Sequence, residues 1–208
     1  FWSLLLHTGY LTVDWEQTQK EELAKEKNKD IFVRIPNIEI LECFENNILD
    51  RFGKILSKDN LALNIANALL EGKVDYVQDK LGPLLRSFVS VRDTATKAPH
   101  ENYYHGFLNG IFTNCKDNLG EYHSNYESGD GYADILFKDI DCRKVAIIEL
   151  KSAPVGSDLV TLSETALSQI EEKNYSEPFM SNRMIQSIYA YGIAFAGKNC
   201  AVSVKKLK

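Results

Sequence analysis

Among the 29 Asp and Glu residues of this 208-residue chain, Glu149 stands in an unusual place, near the end of the apolar run KVAIIELK (144–151). Side chains alternate along a strand, so Val145, Ile147, Glu149 and Lys151 share one face. An acid that continues a core face is costly to bury without a partner. Lys151 is one partner on offer. A metal shared with Asp134, the lone acid inside YADILF (132–137), is another. A short polar link joins the two segments, which predicts an antiparallel hairpin that sets Asp134 beside Glu149. Two carboxylates converging beside a backbone carbonyl form a hard oxygen site of the kind Mg²⁺ takes, with waters and a substrate phosphate completing the shell. A nearby lysine would then hold the phosphate, or orient and help deprotonate the attacking water. Glu-x-Lys also occurs at Glu71/Lys73 and Glu171/Lys173, but there in polar helical surroundings that read as solvated faces.

The elements that must position these residues follow from hydrophobic period. Residues 101–112 (ENYYHGFLNGIF) read as a helix with Tyr104, Phe107, Leu108 and Ile111 on its apolar face. Strands are expected at 121–126, 131–137 and 144–151, a helix at 158–173, and strands at 188–197 and 200–206. A meander followed by a crossover helix predicts one mixed sheet with helices packed on it. Upstream, residues 37–90 read as helical: Asn37 as a cap, then 38–56, 60–71 and 73–90, with Gly72 and Gly82-Pro83 as punctuation. Residues 1–15 read as a short helix and a strand, 16–30 as a charged loop, and IFVRIP (31–36) as a second short strand.

Composition narrows the classes. Lys and Arg total 24, and the net charge is −5, so binding to nucleic acid would rest on local patches rather than on the total. Lys198, Lys205, Lys206 and Lys208 are the one basic cluster. No apolar run is long enough for a membrane span, and no signal peptide is recognisable. Cys43, Cys115, Cys142 and Cys200 lack zinc spacing and read as free thiols in a reducing cytoplasm. The chain has no P-loop and no nucleophile elbow, which leaves small-molecule metabolism with little support. It opens on Phe1, and we read it as a piece of a longer protein.

In its D…ExK residues and its element order the chain resembles the PD-(D/E)XK nuclease superfamily. It is similar in particular to a bacterial group in which this domain follows an AAA-type ATPase-like domain. The blocks that carry the likeness are FWSLLLHTGYLTV, YYHGFLNGIF, SNYESGDGYADILF, IIELK, ETALSQIEEKNY and YGIAFAGKNCAV, in that order. The resemblance implies an α/β (α+β) fold: a restriction-endonuclease-like core, αβββαββ, with a mixed central sheet flanked by helices and preceded by a helical region. It divides the chain into 1–36, a remnant of or connector to the ATPase-like domain; 37–98, a helical region packed on the core; and 99–208, the nuclease-like core.

The resemblance also implies roles. Asp134 and Glu149 would hold Mg²⁺ or Mn²⁺ with the backbone carbonyl of Leu150, and Glu101 would stand near the metal. Lys151 and Gln169 would complete the catalytic set. Tyr175, at a longer spacing from Gln169 than related nucleases use, and Lys198 would contact nucleic acid. Ala133 replaces the family's Pro without loss of a ligand. His100, His105 and His123 read as helix-edge and strand-edge residues. The expected activity is metal-dependent hydrolysis of DNA by a cytoplasmic enzyme, with DNA and the upstream domain as partners, no membrane, and a homodimer as an option. The alternative is a catalytically silent module of the same fold that binds nucleic acid or protein, or regulates the attached ATPase.

Overall fold

The computed structural model describes residues 6, 11–16, 18, 32–41, 53–89 and 100–208. Of the expected charged loop at 16–30 only Glu16 and Thr18 are among these residues, and most of the first long helix falls outside them. Two compact units emerge, divided between Ile55 and Leu56. In the first, β1 (Thr12–Val13) pairs antiparallel with β2 (Val33–Arg34). The Thr18 hydroxyl accepts from Phe32 N–H at 3.1 Å. Asn37 caps the turn that follows, accepting from Ile40 N–H at 3.0 Å.

The second unit begins with two helices, α1 (Leu61–Leu70) and α2 (Val74–Phe88). Gly82-Pro83, the punctuation expected inside the helical stretch 73–90, does not break α2. Pro83 and Asp79, whose carbonyl loses its helical donor, are both on the exposed side, where water can serve that carbonyl. The buried stripe Val77, Leu81, Leu84 and Leu85 runs on at helical spacing and holds the helix together. Helix α3 (His100–Thr113) follows. It buries Tyr104, Leu108, Ile111 and Phe112, while Phe107 is only half-buried.

From there the order is β3 (Leu119–Ser128), β4 (Gly131–Asp139), β5 (Lys144–Ser152), α4 (Leu159–Glu172), the one-turn α5 (Glu177–Met180), β6 (Ser187–Ala196) and β7 (Asn199–Lys206). The five strands form one sheet in sequence order. Only β5–β6 is parallel, the pair joined through α4; the other neighbours are antiparallel. The expected αβββαββ core with a mixed sheet is therefore the observed one.

Central strand β5 is buried on both faces from Val145 to Leu150. One face, through Val145, Ile147 and Ala190, packs under Ile170 of α4 and Phe179 of α5. The other meets α1 and α3. There the Tyr191 hydroxyl donates to Leu69 O at 2.8 Å, and Tyr104 stacks on Phe195 at 4.4 Å. Helix α4 lies so close to β6 that a Cβ on Gly192 would sit 1.9 Å from Ser163 O. Cys115, Cys142 and Cys200 are free thiols. Among the described residues no helix is long and apolar enough to cross a membrane.

Candidate active site

The β4–β5 ladder stops at the pair Ile135–Ile148. The next backbone donor on β5, Leu150 N–H, is taken instead by a side chain: Asp134 Oδ2 accepts it at 2.7 Å. Asp134 is skipped on its other side too. The β3–β4 register passes from Ser124–Ile135 to Tyr126–Ala133. Opposite Asp134, Asn125 has a φ of +53°, a left-handed conformation that Asn tolerates better than most residues. Strict alternation fails here. His123 and Tyr126, three residues apart, have ring centroids 4.7 Å apart, and Ala133 and Leu136 join the same core cluster. The irregularity turns Asp134 toward β5 instead of into either face.

Glu149 lies one register step beyond the ladder and is 3% exposed. Its Oε1 accepts from Lys151 Nζ at 3.1 Å and from Gln169 Nε2 at 2.5 Å. Among the described residues its Oε2 is buried without a hydrogen-bond partner. Burial first, and then the charge of Asp134, push Glu149 up to about 7. Burial also raises Asp134, against the Leu150 hydrogen bond. On Lys151 burial works downward, but Glu149, Glu101 and Asp134 together outweigh it and the ammonium is held more firmly charged. Glu101 reaches the cluster from the opposite helical layer, 4.0 Å from Lys151 Nζ, and burial raises its carboxyl.

Helix α4 delivers Gln169 because both its ends are pinned. Asp158 caps the start through Val160 and Thr161 N–H. At the far end the β3–β4 hairpin closes on the helix: Asp130 N–H donates to Lys173 O, and the Ser128 hydroxyl donates to Tyr175 O. A Cβ on Gly129 would meet Lys173 O at 2.3 Å, so only glycine permits this approach. Beyond the helix, Asn174 turns left-handed (φ +53°) and the chain folds back. That return spans the long Gln169–Tyr175 spacing and leaves Gln169 Nε2 3.4 Å from the Tyr175 hydroxyl.

The expected site residues thus fall into two groups. Asp134, Glu149, Leu150, Lys151, Gln169 and Glu101 come together at one end of the sheet. Tyr175 joins them only through its hydroxyl. The residue is 2% exposed and its ring is part of the core. Lys198 occupies the β6–β7 turn at the same sheet end, and its ammonium donates to Arg86 O at 3.4 Å. The turn borders a cleft of about 250 Å³ lined by Arg86, Asn199 and Cys200. The rest of the basic cluster disperses at the opposite end: Lys205 pairs with Glu171, and Lys208 donates to Met180 and Asn182 carbonyls. Among the described residues, no group of three His, Cys, Asp or Glu side chains forms a ready-made metal cage.

The sequence reading missed His105, whose Nε2 lies 2.9 Å from Asp134 O. The signal was present: Glu101, His105 and Asn109 recur every four residues, a polar stripe beside the apolar face of α3.

No curated protein matches the chain. A family model described as PD-(D/E)XK nuclease superfamily matches residues 99–205, just over half of its length and all but the last residue of the sheet. With an Asp at the end of one ladder, a buried Glu on the next strand and a Lys two residues on, inside an αβββαββ core, the chain belongs to the PD-(D/E)XK nuclease superfamily.

Proposed function

We propose that the chain is a metal-dependent nuclease that hydrolyses phosphodiester bonds of DNA. The observation that carries this reading is Glu149 Oε2, a buried carboxylate oxygen beside a second carboxylate and, among the described residues, without a partner. A protein seldom retains such an atom unless something absent satisfies it. The donor set suits a hard cation. Asp134 and Glu149 supply carboxylate oxygens, and an extended residue directs its N–H and C=O to the same edge, so the Leu150 carbonyl faces Asp134 as its N–H does. These three groups would hold Mg²⁺ or Mn²⁺, with Glu101 behind them. When bound, such an ion neutralises the paired carboxylates, polarises a phosphoryl oxygen and lowers the pKa of a coordinated water.

The chain's own residues do the rest. Lys151, held charged by three acids, is suited to bind a phosphate oxygen and orient the attacking water, not to accept its proton. Gln169 fixes the Glu149 carboxylate, leaving Oε2 as the oxygen on offer. Lys198 and the adjoining Arg86 would meet the phosphate backbone beyond the site. Attachment to an upstream AAA-type ATPase-like domain belongs to the same proposal, supported by the sequence blocks at both ends of the chain.

The test is cleavage of supercoiled plasmid, linear DNA and single-stranded RNA in Mg²⁺ or Mn²⁺. Asp134→Ala, Glu149→Ala and Lys151→Ala should each abolish DNA cleavage while the variants remain folded. Cleavage that persists in all three refutes the assignment.

A second reading, a silent module of the same fold, is favoured by the net charge of −5. It requires that calorimetric titration detect no Mn²⁺ binding and that Asp134→Ala be neutral or stabilising.

A further inference from the structure

The geometry points to His105 as the residue that positions Asp134, through a polar relay that runs back into α3 and β3. Both neighbouring strands leave Asp134 out of their paired registers. The site therefore needs something other than sheet pairing to set the orientation of this residue. His105 Nε2 meets the Asp134 carbonyl at 2.9 Å. A carbonyl oxygen only accepts, so this contact assigns the ring proton to Nε2. The same N–H faces Ser124 Oγ at 3.2 Å, on the strand opposite. Ser124 Oγ in turn accepts from Asn109 Nδ2 at 3.1 Å, and Asn109 Oδ1 accepts from the Tyr122 hydroxyl.

The relay starts at Tyr122, whose ring packs against Phe112 and Phe137. It ends on the one carbonyl whose residue turns its carboxylate to Leu150. Fixing the Asp134 peptide from one side leaves its side chain a short reach to the Leu150 N–H. Freed, the peptide could rotate and the carboxylate would leave both the N–H and the position beside Glu149. Glu101, His105 and Asn109 are successive members of one stripe on α3, so one helix supplies both an acid to the cluster and the brace for Asp134. The inference rests on the reading of Asp134 as a metal ligand, but its first consequence, the hold on Leu150, is independent of any metal.

The experiment therefore has a metal-free arm. Amide hydrogen exchange of Leu150 would be followed by NMR in the wild type, His105→Phe and His105→Gln. Phe keeps a ring of similar size and removes the donor; Gln restores a donor at comparable reach. Ile193, opposite Leu150 on β6, is the reference amide. The expected result is exchange at Leu150 at least about tenfold faster in His105→Phe, no change at Ile193, and recovery to within about threefold in His105→Gln. If His105→Phe does not fold, His105→Leu takes its place. Leu150 exchange unchanged in the donor-less variant overturns the proposal. So does an equal acceleration at Leu150 and Ile193, which would mark His105 as merely structural.

A second arm titrates Mn²⁺ alone by calorimetry. His105→Phe should weaken binding at least about fivefold and His105→Gln should restore it. Unchanged Mn²⁺ affinity in His105→Phe overturns the link from His105 to the site. A wild type that binds no Mn²⁺, with Leu150 still loosened in His105→Phe, removes the metal reading of the preceding section and leaves the positioning role standing.

Discussion

Replacing Glu149 by Gln removes a charge that the fold itself disfavours, and the size of the effect follows from the structure. Burial and Asp134 raise Glu149 from an ordinary 4.5 to about 7. Each tenfold in proton affinity is worth ~1.4 kcal/mol, so ionising this one carboxyl in the metal-free fold costs about 3 kcal/mol. The folded value lies above the unfolded one. The stabilisation is thus fully present below pH 4.5 and is lost as pH rises through about 7. Gln keeps the shape and can still accept from Gln169, but it gives up the ionic partner of Lys151 at 3.1 Å. A net gain of about 1–3 kcal/mol at pH 8 remains, which for a chain of this length is ~3–9 °C in Tm. The assay is thermal unfolding of both proteins in EDTA at pH 8 and pH 5. Glu149→Gln should melt higher at pH 8, and most of that advantage should vanish at pH 5. Added Mn²⁺ should then stabilise the wild type alone. Equal melting at both pH values refutes the argument that Glu149 is held in a site built for a cation. A variant less stable at pH 8 does the same.

Four further predictions rest on separate parts of the molecule. Protons on Glu149 and Asp134 compete with a cation, and both carboxyls are raised, so Mn²⁺ affinity should climb between pH 5 and pH 7.5 by calorimetry; a flat profile contradicts the proposed ligands. Gly192→Ala places a methyl 1.9 Å from Ser163 O and should cost about 3 kcal/mol or more, read as loss of folded protein or a collapse of the denaturant midpoint. Tyr191→Phe leaves the Leu69 carbonyl without its donor and should cost about 1–2 kcal/mol in urea unfolding. Asn125→Gly should be neutral, whereas Asn125→Val, forcing a β-branched residue to φ +53°, should lose about 1–2 kcal/mol and weaken Mn²⁺ binding by displacing Asp134.

Hydrophobic period alone carried the αβββαββ order from α3 to β7, because each of these elements buries a face against the same sheet and must show it in its residue pattern. The face shared by Val145, Ile147 and Glu149, and the pairing of Glu149 with Lys151, follow from alternation over a two-residue step. Pattern failed where geometry turns on backbone exceptions. Pro83 looks like a stop in any sequence, and only its position on the exposed side of α2 lets the helix continue. The left-handed Asn125 opposite Asp134, where the acid turns toward Leu150, breaks the alternation that sequence reasoning relies on. The seating of the Tyr175 hydroxyl near Gln169 depends on a left-handed Asn174, and the hold of His105 on Asp134 joins residues 29 apart. Sequence thus determined which elements form and which acids end apolar runs, because those are local properties of residue type and spacing. Which carboxylate oxygen is left, among the described residues, without a partner, and which side chain meets the residue beside it, was decided only when two helical layers and three strands met at one end of the sheet.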